Sequence, residues 1–189
     1  MKPALVLIDL QEDYLDRAPL RERRPALLAR IAELLAAFRR RGLPVLHVVS
    51  VYKADRSNWT RSMLRDDWPV VIEGTSGAQV VAAARPAPGE PLIVKDRYSA
   101  FFRTDLEARL AESGADTLVV AGVNTHACVR TTAIDAFMRD WAVVVPTDAV
   151  DSWDPEHHRV TLAYLARGIA ELTAVDQLVA ALPPERSEN

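Results

Sequence analysis

An acid, an amine and a thiol occur at matching places in this chain: Asp9, Lys95 and Cys128 each close or follow a short apolar run. Cys128 is the only cysteine, and it lies in Gly122-Val123-Asn124-Thr125-His126-Ala127-Cys128-Val129-Arg130. Before that stretch comes the apolar run Thr117 to Ala121, and after it Thr131 to Asp140, which reads as a helix. A cysteine at a strand-to-helix turn meets outward-pointing helix amides and the positive end of the helix dipole, which favour thiolate over thiol. A lone cysteine is otherwise a small inert hydrophobe, so the chemical reading depends on Asp9 and Lys95. An ammonium lowers a thiol's pKa, and a carboxylate takes the thiol proton and passes it to a leaving group. Backbone N–H groups of the turn hold the oxyanion formed when thiolate adds to an electrophilic carbon.

Residues so far apart meet only if their runs are neighbouring strands of one parallel sheet, whose carboxyl ends share the edge where ligands bind. Six strand candidates satisfy this: Ala4–Leu10, Pro44–Val51, Pro91–Val94, Thr117–Ala121, Ala142–Pro146 and Ile169–Leu172. Helical patterns alternate with them. Leu27, Leu28, Ile31, Leu34, Leu35 and Phe38 recur at helical spacing, with Pro25 suited to the first turn and Gly42 to the exit. Thr104-Asp105-Leu106-Glu107 reads as a capping box opening a helix that stops at Gly114. Asp154 reads as a cap with Pro155 in the first turn and Gly168 at the end, and Thr173 as the cap of a last helix through Leu182. The expected fold is α/β, three-layer α/β/α with a six-stranded parallel sheet, Rossmann-like, in a single domain over residues 1–189. The tail Pro183 to Asn189 is polar and expected to be loose.

From Tyr52 to Glu90 the periodicity fails, apart from a short helix-like face at Gly77 to Arg85. A connection this long is commonly a lid or binding loop. Its Trp59 suits a pocket wall or an anchor equally, while Trp68 reads as packing. His47, inside an apolar run, reads as a core or supporting histidine.

Composition narrows the function classes. The formal charge of -3 offers nothing to a polyanion, and Arg17, Arg21, Arg23, Arg24, Arg39, Arg40 and Arg41 read as a solvated face, so no nucleic-acid role is expected. One cysteine excludes an internal disulfide and suits a reducing cytoplasm. The first apolar run ends at Asp9, too soon for a signal peptide or a membrane span, so a soluble cytoplasmic protein with no membrane partner is expected. A nucleotide-binding module is disfavoured: the first strand leads into Asp9-Leu10-Gln11-Glu12-Asp13, acids without glycines, and no phosphate-cradling Gly-Lys-Ser/Thr loop occurs.

The motifs resemble those of the isochorismatase-like cysteine hydrolases, a superfamily that includes nicotinamidases and N-carbamoylsarcosine amidase. Asp9-Leu10-Gln11-Glu12-Asp13-Tyr14 is similar to the family's opening Asp-x-Gln-x-x-aromatic motif, and Lys95-Asp96-Arg97-Tyr98-Ser99-Ala100-Phe101 to its lysine motif. Gly122 through Val129, then Thr132, Asp135 and Ala136, resembles its nucleophile motif, and His158 with Leu162 a later helix motif. The resemblance runs from Leu5 to about Leu172. It implies Cys128 as nucleophile, Asp9 as general base and acid, and Lys95 as charge partner of both. It further implies a cis peptide between Val123 and Asn124 and an oxyanion hole from the N–H groups of Asn124 and Cys128. The reaction implied is hydrolysis of a carbon–nitrogen bond in a small amide or carbamoyl compound through a Cys128 thioester.

Departures from the family pattern refine this. Nicotinamidases of the superfamily carry an Asp-x-His metal site after the second strand, where this chain has Ser50-Val51-Tyr52-Lys53, so neither metal nor cofactor is expected. Isochorismatases proper usually lack the cysteine, because vinyl-ether hydrolysis needs no nucleophile, so Cys128 argues against that activity; isochorismatase-type or ester hydrolysis at the same site is the second reading. Tyr14, Trp59, Tyr98 and Phe101 are candidate pocket walls; Arg97, Thr125 and His126 are candidate polar contacts to substrate. Each of these serves packing equally well on sequence alone. A basic lining would fit a carboxylate-bearing substrate through a bidentate arginine. The resemblance also suggests a homo-oligomer, a dimer or tetramer, in which a neighbour's loop completes the pocket.

Overall fold

A computed structural model describes residues 1–185; residues 186–189, the end of the tail expected to be loose, lie outside the described residues. Seven strands form one parallel sheet: β1 (Pro3–Ile8), β2 (Val45–Ser50), β3 (Leu92–Lys95), β4 (Thr117–Val123), β5 (Ala142–Pro146), β6 (Val150–Asp151) and β7 (Glu171–Thr173). The order is β3-β2-β1-β4-β5-β7, with β6 pairing β4 beyond the end of β5. The six expected strands are therefore present. The seventh arises because the chain leaves β4 after Val144 and rejoins it with Val150 opposite Gly122. Two residues are too few to show a period of two in sequence.

Every residue of β1 and β4 is buried, as expected for parallel strands covered on both faces. One face carries α1 (Glu12–Leu15), α2 (Leu20–Arg40) and α7 (Val175–Ala181), whose Leu15, Leu27, Ile31, Leu34, Leu35, Phe38 and Leu178 pack on Leu5, Leu7 and Val119. The other carries α4 (Leu106–Ser113), α5 (Arg130–Phe137) and α6 (Pro155–Leu165), with Leu106, Leu110, Ala133 and Leu165 against Val6, Ile8 and Val120. The long connection holds α3 (Arg61–Asp66) and two single 3-10 turns, and builds a small core of its own from Tyr52, Trp59, Met63, Val70 and Val71. Among the described residues no helix is long and apolar enough to cross a membrane.

Several helix starts differ from the sequence expectation, each for a tertiary reason. α2 begins at Leu20, so Pro25 lies inside the helix and not in its first turn. The extra turn is held by fully buried Leu20 and by Arg23, which donates to both Asp151 oxygens at 2.8 and 2.9 Å and to Ser152 O at 2.7 Å. Those contacts offset the proline's cost to the helix. Thr104 does not complete a capping box: Asp105 stands at the cap without a side-chain bond, while Thr104 Oγ1 accepts from Leu106 N–H at 3.3 Å. α7 starts after Ala174, not Thr173, because Asp148 Oδ1 accepts the Val175 N–H at 2.9 Å. The Asp154 cap and Pro155 first turn of α6 stand as expected, with Asp154 Oδ1 accepting from His157 N–H at 2.9 Å.

The chain runs β1, β2, β3 to one side of β1 and then crosses to β4 on the other. The strand order thus reverses between β1 and β4, and a crevice opens at their carboxyl ends.

Candidate active site

Asp9, Ser50 and Lys95 stand in a row along that edge, just past β1, at the end of β2 and at the end of β3. Strands about 4.8 Å apart place β3 roughly 10 Å from β1. A lysine is long enough to cross the end of β2 and reach the aspartate; a shorter base is not. Lys95 Nζ donates to Asp9 Oδ2 at 2.8 Å, to Ser50 Oγ at 2.7 Å and to Cys128 Sγ at 3.3 Å. Ser50 Oγ in turn donates to Asp9 Oδ1 at 3.0 Å. Relative exposures of 0% for Asp9, 3% for Lys95 and 5% for Cys128 make this a dry cluster. Asp9 adopts a left-handed φ of 53°, a region aspartate enters more readily than most residues. Gln11 anchors the row: Oε1 accepts from Ser50 N–H at 3.0 Å, and Nε2 donates to Ser50 O and Ala78 O at 2.9 Å.

Burial alone would pull the Lys95 ammonium down, but the Asp9 carboxylate, by its charge and its hydrogen bond, reverses this and raises the lysine pKa, so it stays protonated. The Cys128 thiol moves opposite to the sequence expectation. Burial and then Asp9 push it up, outweighing the lowering by Lys95. A helix terminus favours a thiolate only at a partly hydrated sulfur, and desolvation disfavours any thiolate not balanced charge for charge. Cys128 therefore rests as a thiol, and its nucleophile has to be made by proton transfer within the site.

The turn that carries Cys128 is built on Gly122. Its φ is 116°, and a Cβ there would lie 2.1 Å from Ile8 O, so the close approach of β4 to the end of β1 admits only glycine. The Val123–Asn124 peptide is cis. The chain then makes a π-helical turn, Thr125–Val129, before α5 begins; Asn124 O accepts from Ala127 N–H at 3.0 Å and Val129 N–H at 3.3 Å. Two side chains and one main-chain N–H from the β6–α6 region brace it. His158 Nδ1 lies 2.9 Å from Thr125 Oγ1, His126 Nδ1 lies 2.5 Å from Ser152 Oγ, and Asn124 Oδ1 accepts from Trp153 N–H at 3.4 Å.

The other candidates divide. Tyr14 stands at the cluster: its hydroxyl pKa is raised well above the usual value by burial, then by Asp9 and Cys128. Tyr52, unmarked in the sequence, is likewise pushed to about 12, by burial first and in smaller part by Cys128 and Asp9. Trp59 anchors its loop, donating Nε1–H to Lys53 O at 2.8 Å and packing on Tyr52 and Met63. Arg97 is spent on the main chain, donating to Asn58 O at 3.0 Å and Asp96 O at 2.6 Å. With Tyr98, Thr60 and Phe102 it lines a cleft of about 460 Å³ whose walls include none of Asp9, Lys95 and Cys128. Phe101 is buried in the core beside α4 and α5, with Arg139 over its ring at 4.8 Å. Thr125 is fully buried, and His126 sits edge-on to Trp153 with ring centres 5.2 Å apart. Trp68, read as packing, is 45% exposed and takes Arg17 over its ring at 4.9 Å. Ser50 is the member of the cluster that sequence reasoning passed over, although a polar residue ending an apolar strand on the same edge was a usable signal.

The family model described as "Isochorismatase domain" matches residues 3–177. The chain belongs to the isochorismatase family. A crystal structure of an isochorismatase family protein from Desulfovibrio vulgaris superposes with a TM-score of 0.85 at 36% identity, covering 95% of this chain and 98% of that one. N-carbamoylsarcosine amidase from Thermoplasma acidophilum gives 0.79 at 30% identity over 93% and 98%. A probable isochorismatase from Pseudomonas chlororaphis is 32% identical over 181 residues, 94% of this chain and 85% of its own. This isochorismatase-family member is a hydrolase, and its relatives include both amidases and isochorismatases.

Proposed function

We propose that this hydrolase cleaves a carbon–nitrogen bond of a small amide or carbamoyl compound, with Cys128 as nucleophile, Asp9 as proton carrier and Lys95 as fixed cation. The observation that carries the reading is one ammonium, Lys95 Nζ, lying 2.8 Å from the Asp9 carboxylate and 3.3 Å from Cys128 Sγ. Its raised pKa leaves Asp9 as the group able to accept a proton. As substrate enters, the Cys128 proton passes to Asp9 and the sulfur adds to the carbonyl carbon. The resulting oxyanion accepts hydrogen bonds from the Asn124 and Cys128 N–H groups. The Asp9 acid then protonates the leaving nitrogen, and ammonia or an amine departs from a Cys128 thioester. Water gives a proton to Asp9 while its oxygen adds to the thioester. Collapse releases the acid, and the proton returns to sulfur. Throughout, Lys95 remains protonated and offsets the negative charge. No metal or cofactor enters this scheme.

The relation to N-carbamoylsarcosine amidase across nearly the whole chain supports the bond type. The relation to a probable isochorismatase supports a second reading, hydrolysis of a vinyl ether or ester in the same pocket. A panel of small amides scored by ammonia release, with products identified by mass spectrometry, separates the two. Trapped thioester should appear as an acyl adduct on Cys128, and Cys128→Ala should lower kcat on the order of 10⁴-fold or more. Turnover surviving within a few fold in Cys128→Ala would end the nucleophile assignment.

A further inference from the structure

We propose that Arg17 is the receptor for a carboxylate on the substrate, so that the compounds hydrolysed are small monoanionic amides. The inference rests on the amidase reading only for the bond cleaved. Among the described residues the Arg17 guanidinium forms no salt bridge, and no hydrogen bond from its side chain is formed. The chain's other half-buried arginines behave differently: Arg23 is forked onto Asp151 at 2.8 and 2.9 Å, and Arg39 onto Glu90 at 2.7 and 2.8 Å. Two indoles hold Arg17 instead, with its Cζ 3.7 Å from the Trp153 ring centre and 4.9 Å from that of Trp68. Aromatic faces fix a guanidinium while satisfying none of its N–H groups, which leaves the planar fork that matches a carboxylate.

None of Asp9, Lys95 and Cys128 lines the recess that holds this fork, but two links join it to the reaction site. Arg17, Tyr14, Asp13, Asp16 and Trp68 line a recess of about 330 Å³, and Tyr14 in the same wall is buried near Asp9, burial first and then that carboxylate raising its hydroxyl pKa. On the other side the main-chain N–H of Trp153 donates to Asn124 Oδ1 at 3.4 Å, and its ring packs on His126, two residues before Cys128. The acids of the recess are already engaged. Asp13 Oδ2 accepts from Val71 N–H at 2.6 Å, and Asp16 pairs with Arg21 at 2.7 Å. Arg17 is thus the one cation lining the recess and has no acid partner among the described residues, while the two aspartates repel a dianion more strongly than a monoanion. That balance favours one carboxylate over a phosphate.

The test uses Cys128→Ser protein, checked first for absence of ammonia release, and reads tryptophan fluorescence, since Trp68 and Trp153 flank Arg17. Succinamate, carrying an amide and a carboxylate, should bind at least about 10-fold more tightly than neutral succinamide, and more tightly than inorganic phosphate. Arg17→Met, which keeps the apolar stem, should bring succinamate and succinamide within about 2-fold, and Arg17→Lys should restore an intermediate preference. Thermal unfolding of each variant checks that the fold is intact. Equal affinity for the two amides, no saturable response to succinamate, acetate or succinate, tighter binding of phosphate, or a preference that survives Arg17→Met would each overturn the inference. Ammonia release by the otherwise native protein keeps the two readings apart. Binding preference without any amide turnover removes the amidase reading and leaves the receptor; turnover of succinamate whose KM is unmoved by Arg17→Met does the reverse.

Discussion

Replacing Lys95 by Met leaves Asp9 in a dry site without its cation, and the structure sets the size of the effect. Removing one partner of a buried ion pair costs about 3–5 kcal/mol. The hydrogen bond that Ser50 Oγ donates to Asp9 at 3.0 Å survives and returns about 1 kcal/mol, leaving a net loss of about 2–4 kcal/mol at neutral pH. The double variant Asp9→Asn, Lys95→Met carries no buried charge and should lie within about 1–2 kcal/mol of wild type. Urea unfolding followed by circular dichroism at pH 7 measures both variants. A loss below about 1 kcal/mol in Lys95→Met, or a double variant no more stable than the single one, would refute the reasoning.

Three further outcomes are expected. Gly122→Ala places a Cβ 2.1 Å from Ile8 O at a φ of 116°; it should cost at least about 2 kcal/mol and, through displacement of the Cys128 turn, most of the activity, which thermal unfolding and steady-state kinetics together would show. Ser50→Ala removes the acceptor 2.7 Å from Lys95 Nζ and the donor to Asp9; kcat should fall about 10-fold for the roughly 1.4 kcal/mol lost from the charged cluster, with KM changed much less. Burial would raise the Glu90 pKa, but Arg39, the Ala87 N–H and His47 outweigh it and hold the carboxyl at about 2. Because this folded pKa is depressed, its stabilisation is present above about pH 4.3 and lost as pH falls toward 2, amounting to about 3 kcal/mol. Glu90→Gln should remove that acid limb from a plot of unfolding free energy against pH.

Periodicity and local chemistry alone located six strands, the Asp154 cap of α6 and the three strand ends bearing Asp9, Lys95 and Cys128, because alternation of layers and capping are settled by neighbours in sequence. Motif resemblance added the cis Val123–Asn124 bond found in the structure. What lay beyond reach depended on residues far apart. Pro25 looked like a helix start until Arg23 was seen bonded to Asp151, 128 residues away. The Cys128 thiol looked acidic from its turn and is not, since desolvation depends on what covers it and no local pattern encodes that. Arg17 belonged by composition to a basic run on a solvated face, yet Trp153 and Trp68, distant in sequence, set it apart. The sequence by itself determined which groups arrive at the sheet edge. Only the tertiary structure decided the strand order that lays Ser50 between Asp9 and Lys95, the loss of water that sets their protonation, and which arginine is left without an acid, because each is a sum over neighbours that folding alone brings within a few ångströms.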